Sequence, residues 1–192
     1  MRITGSGGHA AIPDLAIDPI PCGAAIVQSL QSIVSRRVAA LEPAVVSVTI
    51  FESGSAFNVI PGTARLGGTA RSFSPDVRKF LEESIHEIAM ATAKAYYCEI
   101  EIDWQSGYPP TVNHSKESAR AAAVAANVLG ADNIITDLQP SMGAEDFAYM
   151  LAEKPGSYIW LGAGPAKNGA MLHNDRYDFN DDVLATGASY WA

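Results

Sequence analysis

Two amphipathic helical segments, each bracketed by short β-branched runs, set the strongest limit on how residues 1–106 can fold. "MRITGSGG" starts as a strand and dissolves into glycines. "AIDPIPCGAAIVQSLQSIVSRRV" reads as a helix, with Asp18 placed to cap it and Pro19 suited to its first turn. Ile26, Val27, Leu30, Ile33, Val34 and Val38 recur at three- and four-residue steps and form one apolar stripe. "AVVSVTIFES" (44–53) is a strand without charge until Glu52, and "TARLGGTARSF" (63–73) is a second one whose Gly pair suggests a bulge. "SPDVRKFLEESIHEIAMATAKAYY" is the second helix, capped by Ser74 with Pro75 at its first position. "CEIEIDWQ" (98–105) alternates apolar and polar residues, the signature of a half-buried strand.

The order β-α-β-β-α-β predicts a ferredoxin-like α+β arrangement, two helices on one face of a four-stranded antiparallel sheet. In that topology the second and fourth strands lie at the edges. The fourth carries Glu99, Glu101 and Asp103, a guard against edge pairing, whereas the core of the second, "VVSVTIF", carries no charge. A homodimer joined through the edge strand 44–53 is therefore expected.

After "SGYPPTVN" (106–113), which reads as a linker, the pattern changes. "SKESARAAAVAANVLG" is an Ala-rich helix ended by Gly130. "NIITD" and "SYIWLGAG" read as short strands, "AEDFAYMLAEK" and "NDDVLATGASYWA" as helices. This alternation suggests part of an α/β layer, with too few strands for a sheet of its own. The expected division is 1–107 and 108–192.

The formal net charge of −8 argues against a nucleic-acid surface, which needs clustered Lys and Arg. No apolar run reaches membrane-spanning length and no leader pattern opens the sequence, so a cytoplasmic location without membrane contact is expected. The two cysteines, Cys22 and Cys98, are too few for a Cys-rich zinc knuckle and read as small buried hydrophobes. "TGSGGHA" formally matches the dinucleotide fingerprint, but Pro13 and Asp14 interrupt where its helix should begin.

Metal chemistry is the sharper question. His173 stands in "AMLHNDRYDFNDD", among Asn and Asp residues suited to orient a ligating imidazole. A catalytic zinc site needs about three protein ligands. The chain has four histidines, and no H-x-x-x-H spacing occurs among them. His86 reads as surface, His114 falls in the linker and His9 sits in a glycine-rich loop. Taken singly, Asn58 is a turn residue, Arg71 a strand-surface charge, and Glu145 and Asp146 favour the start of a helix.

Together these stretches change the reading. "GSGGHAAIP", "FNVIPG", "GTARSF", "SMGAEDFAYML", "YIWLGAG" and "LHNDRYDFND" occur in an order and spacing that resembles the metal-dependent amidohydrolases related to hippurate hydrolase, indole-acetyl-amino-acid hydrolase and aminoacylase. The resemblance covers essentially the whole chain. It implies a ferredoxin-like lid that dimerises, followed by the C-terminal part of an α/β catalytic domain. It implies two divalent metals per complete site, zinc, manganese, cobalt or nickel, and an N-acyl amino acid as substrate. Carried over by resemblance, His173 is a metal ligand, and His9 reaches the partner subunit's site to stabilise the tetrahedral oxyanion. Asn58 and Arg71 bind substrate, Arg71 at its carboxylate, and Glu145 lies near the pocket.

One departure accompanies the resemblance. Family members carry a large segment before the lid that holds most metal ligands and the catalytic base, and it has no counterpart here. The expectation is a chain inactive by itself. The alternative is a non-catalytic dimerisation module, or a subunit that needs a separate N-terminal chain.

Overall fold

The computed structural model describes residues 1–164 and 169–192. The chain divides into two compact units, Met1–Pro110 and Thr111–Ala192. In the first, β1 (Arg2–Thr4) and β2 (Gly8–His9) precede α1 (Pro19–Ser32), which runs on into a π turn (Ile33–Arg37). β3 (Ala44–Ser53), β4 (Val59–Ile60), β5 (Thr63–Ser72), α2 (Pro75–Ala95) and β6 (Glu99–Glu101) follow. Four strands form an antiparallel sheet in the order β3-β5-β1-β6, while β2 and β4 pair separately.

Local chemistry explains the helix starts. The Asp18 carboxylate accepts from the Ile20 N–H at 2.9 Å, and the Ser74 hydroxyl accepts from the Val77 N–H at 3.3 Å, each with proline in the first turn. Periodicity then fills the core. Ile26, Leu30 and Ile33 from the first helical segment meet Leu81, Ile85 and Ala89 of α2 over Ile3, Ala64 and Leu66 of the sheet. The strand order leaves β3 and β6 at the edges.

Two strands depart from the sequence expectation. The bulge lies at the Gly pair, but the extra residue is on the partner strand: Val48 faces Gly68, Ile50 faces Gly67, and Thr49 has no opposite residue. A Cβ on Gly68 would lie 2.2 Å from the Ser47 carbonyl oxygen, so β3 approaches this closely only because residue 68 has no side chain. The last strand, expected over 98–105, ends at Glu101. Its neighbour β1 pairs Arg2 with Glu101, the last ladder pair on this side. Alternating polarity continues past Glu101, but a strand also needs a hydrogen-bonding neighbour.

The second unit holds α3 (Ser115–Leu129), α4 (Phe147–Glu153) and α5 (Leu184–Trp191). Gly130 ends α3 at φ +85°, a conformation that suits glycine. The two strands expected here, 133–137 and 157–164, form no ladder among the described residues. At Tyr158 a side chain replaces the missing strand: the Asn113 amide donates to the Tyr158 carbonyl at 2.8 Å and accepts from its N–H at 2.7 Å. His114 adds a second clasp, its N–H donating to the Gly156 carbonyl at 3.1 Å while its Nδ1 accepts from the Gly156 N–H at 3.2 Å. Among the described residues no helix is long and apolar enough to cross a membrane.

Candidate functional site

The motif histidine of the first unit is held by backbone pairing. β2 and β4 align Gly8 with Ile60 and His9 with Val59, and the Ala10 N–H donates to the Asn58 carbonyl at 3.0 Å. The approach depends on small residues, since a Cβ on Gly7 would lie 2.9 Å from the Ile60 carbonyl oxygen. "GSGGHA" and "FNVIPG", far apart in sequence, thus meet and place His9 beside Asn58. The Ala11 N–H donates to His9 Nδ1 at 3.1 Å. In the neutral ring this assigns the proton to Nε2, leaving an N–H donor on the other edge of the exposed imidazole. Phe57, Leu15, Val59 and Ile12 are exposed around the pair, so this tip of the unit is polar at its centre and apolar around it.

Arg71 is elsewhere. It lies on β5 opposite Val45, eight residues from Thr63, where the sheet runs toward the β2–β4 pair. Eight strand steps put it about 25 Å from that end. Within one unit, then, His9 and Asn58 are neighbours and Arg71 is at the far end of the same sheet.

In the second unit Glu145 is tied down at both oxygens. Its Oε1 accepts from the Phe147 N–H at 3.2 Å and its Oε2 accepts from the Tyr158 hydroxyl at 2.8 Å. The tyrosine hydroxyl, aided by the Phe147 amide, holds the Glu145 carboxyl below the usual glutamate range. The carboxylate in turn pushes the Tyr158 phenol up. Sequence reading missed Tyr158, because nothing local in "SYIWLGAG" signals a partner before α4.

The sign of the pH dependence follows. A glutamate with a lowered folded value contributes stability that is present above its unfolded value and lost as pH falls through the folded one. A tyrosine with a raised folded value contributes stability that is lost as pH rises through the folded one. The pair is therefore intact across the neutral range. Tyr158→Phe is expected to raise the Glu145 value toward that of an ordinary glutamate, read by carboxyl-carbon NMR titration. An unchanged titration would show that the Phe147 and Asp146 contacts set it without the tyrosine.

His173 occupies a turn in which the Asn174 N–H donates to the Met171 carbonyl at 3.1 Å and the Tyr177 N–H donates to the Asn174 carbonyl at 3.0 Å. Its φ of +67° is uncommon for a residue with a side chain. Among the described residues no group of three or more His, Cys, Asp and Glu could hold a metal ion. The remaining histidine, His86, is half-buried rather than a surface residue: Nδ1 bonds to the Glu82 carbonyl at 2.9 Å and the ring lies 5.7 Å from Trp104.

Comparison with known proteins accounts for this set of motifs. The model of peptidase family M20/M25/M40 matches residues 7–192. The chain belongs to this family. It is 37% identical over its full length to hippurate hydrolase of Campylobacter jejuni and 34% identical over 99% of its length to N-acetylcysteine deacetylase of Bacillus subtilis. Those alignments cover 49% and 48% of the two relatives, so this M20 chain spans about half the length of the curated relatives it matches. Among solved structures, the YXEP protein of Bacillus subtilis, a dinuclear metal-binding peptidase of the M20 family, superposes with a TM-score of 0.67 at 27% identity. That match covers 99% of this chain and 47% of the other. The fold is thus the mixed α/β architecture of the M20 peptidases.

Proposed function

We propose that this M20 chain serves a metal-dependent amidohydrolase that cleaves the amide bond of N-acyl amino acids. Met1–Pro110 would be a ferredoxin-like lid and Thr111–Ala192 a portion of the catalytic domain. The observation that carries the reading is the placement of the motif residues on the sheet. His9 and Asn58 project beyond one end of β5, and Arg71 sits at the other. A two-fold pairing of antiparallel β3 edges reverses those ends, bringing Ala44 of one protomer beside Ser53 of its partner. Arg71 of one protomer then lies toward the His9–Asn58 tip of the other, a juxtaposition that one protomer alone does not make.

The chemistry assigned to these residues is simple. The Arg71 guanidinium grips the substrate carboxylate through two parallel hydrogen bonds. The Nε2–H of His9, presented outward by the Ala11 contact, donates to the carbonyl oxygen as negative charge develops on it. Asn58, its backbone carbonyl held by the Ala10 N–H, is the second candidate substrate contact at this tip. Glu145 acts by holding Tyr158 against the start of α4. The described residues do not by themselves compose a metal centre. His173 is the ligand this chain would contribute, with the others supplied from outside residues 1–192. That same shortage favours a second reading, a dimerisation module that performs no chemistry.

A chimera separates the two. Residues 1–192 replace the matching half of Campylobacter jejuni hippurate hydrolase, and hippurate hydrolysis is followed with and without divalent metal. Metal-dependent turnover is expected. His9→Ala should lower kcat by about 10²- to 10³-fold, the usual effect of losing one oxyanion donor. Arg71→Ala should act chiefly on KM. A folded, metal-loaded chimera without turnover would leave only the module.

A further inference from the structure

Cys22 and Cys98 are both fully or nearly buried, and neither has a role in the reading above. The fold brings them to one place. Asp18 is the N-cap of α1, and its carbonyl is the natural acceptor for the N–H four residues on, that of Cys22. The Cys98 Sγ lies 4.0 Å from that same carbonyl oxygen. Cys98 is itself fixed, its N–H donating to the Ala93 carbonyl at 2.9 Å just before β6. Both side chains belong to one core cluster with Ile3 and Ile26. Burial first, and the neighbouring Cys98 thiol second, push the Cys22 thiol up to about 12. Both thiols are free, and a raised thiol is protonated and slow to react under neutral conditions.

We propose that Cys22 and Cys98 are a redox-active pair that closes to an intramolecular disulfide when a small disulfide oxidant is present, tying the first turn of α1 to the start of β6. The step balances with glutathione disulfide. Cys98, the more exposed of the two, loses its proton and attacks one glutathione sulfur. The S–S bond of the oxidant breaks, and the first glutathione leaves as a thiolate that takes up a proton. Cys22 then loses its proton and attacks the Cys98 sulfur of the mixed disulfide, expelling the second glutathione. Two protein thiols are oxidised and one glutathione disulfide is reduced to two thiols. The link closes a long loop, so it restricts the unfolded chain.

The test uses residues 1–192 incubated with glutathione disulfide at mildly alkaline pH. Intact mass should fall by two hydrogens, with no glutathione retained. Denatured protein should take up no iodoacetamide, and digestion should release a peptide joined through Cys22 and Cys98. The melting temperature should rise and return on treatment with dithiothreitol. In Cys22→Ala the second displacement is impossible, so a stable glutathione adduct at Cys98 is expected. A wild-type chain that keeps glutathione, or that leaves both cysteines open to alkylation, would overturn the proposal. Should Cys22→Ala fail to fold, the wild-type mass and peptide map still decide it.

Discussion

Purified residues 1–192, incubated with Zn²⁺ and Mn²⁺ and then desalted, are expected to retain well under one metal per chain. Hippurate hydrolysis by the same sample should not exceed the uncatalysed background. The reason is coordination number. A catalytic zinc site takes about three protein ligands, and a pair of metals takes more. The chain brings His173 on a turn, and the described residues hold no cluster of three or more ligating side chains. A single exposed imidazole competes poorly with buffer and water, so metal should leave on desalting. The comparison is His173→Ala, which should behave identically. Near-stoichiometric metal that disappears in His173→Ala would overturn the expectation and point to ligands recruited from a second copy. Turnover by the wild type would do the same.

Thr49→Lys is expected to convert a dimer into monomers while leaving the melting temperature nearly unchanged. Thr49 is the exposed bulge residue near the middle of the ten-residue edge strand β3. Pairing two such strands about a two-fold axis places each Thr49 close to its symmetry mate. Opposed lysines there cost roughly 2–3 kcal/mol, on the order of a hundredfold in Kd. Val48 is a poorer choice, because its side chain packs against the core of the first unit and a lysine there would disturb folding itself. Sedimentation velocity across a concentration series reads the outcome. An unchanged dimer would remove the edge strand from the interface and, with it, the route by which Arg71 approaches the partner's tip.

The helices of the first unit were legible because their signals are local. Asp18 and Ser74 bond to amides two and three residues away, and the apolar positions of α1 recur at helical spacing. The strands were legible as strands, but their ends were not. β6 stops at Glu101, where its ladder with β1 ends, and that pairing is recorded nowhere near residues 98–105. In the second unit the same limit is more severe. "SYIWLGAG" has the composition of a strand, yet Tyr158 bonds to the Asn113 side chain where a neighbouring strand would be.

The site divides along the same line. His9, Asn58, Arg71, Glu145 and His173 could be named as candidates from the chain alone, because residue type and order need no folding to be read. So could the helix caps and the apolar stripes, which depend on atoms within a turn of one another. Folding, by contrast, sets His9 and Asn58 at one tip, Arg71 at the other end of the sheet, and Glu145 against Tyr158. It alone brought Cys98 to the carbonyl that starts α1. Each of these is a contact between distant segments, set by strand register and by core packing between helices and sheet, and neither acts within a local stretch of chain.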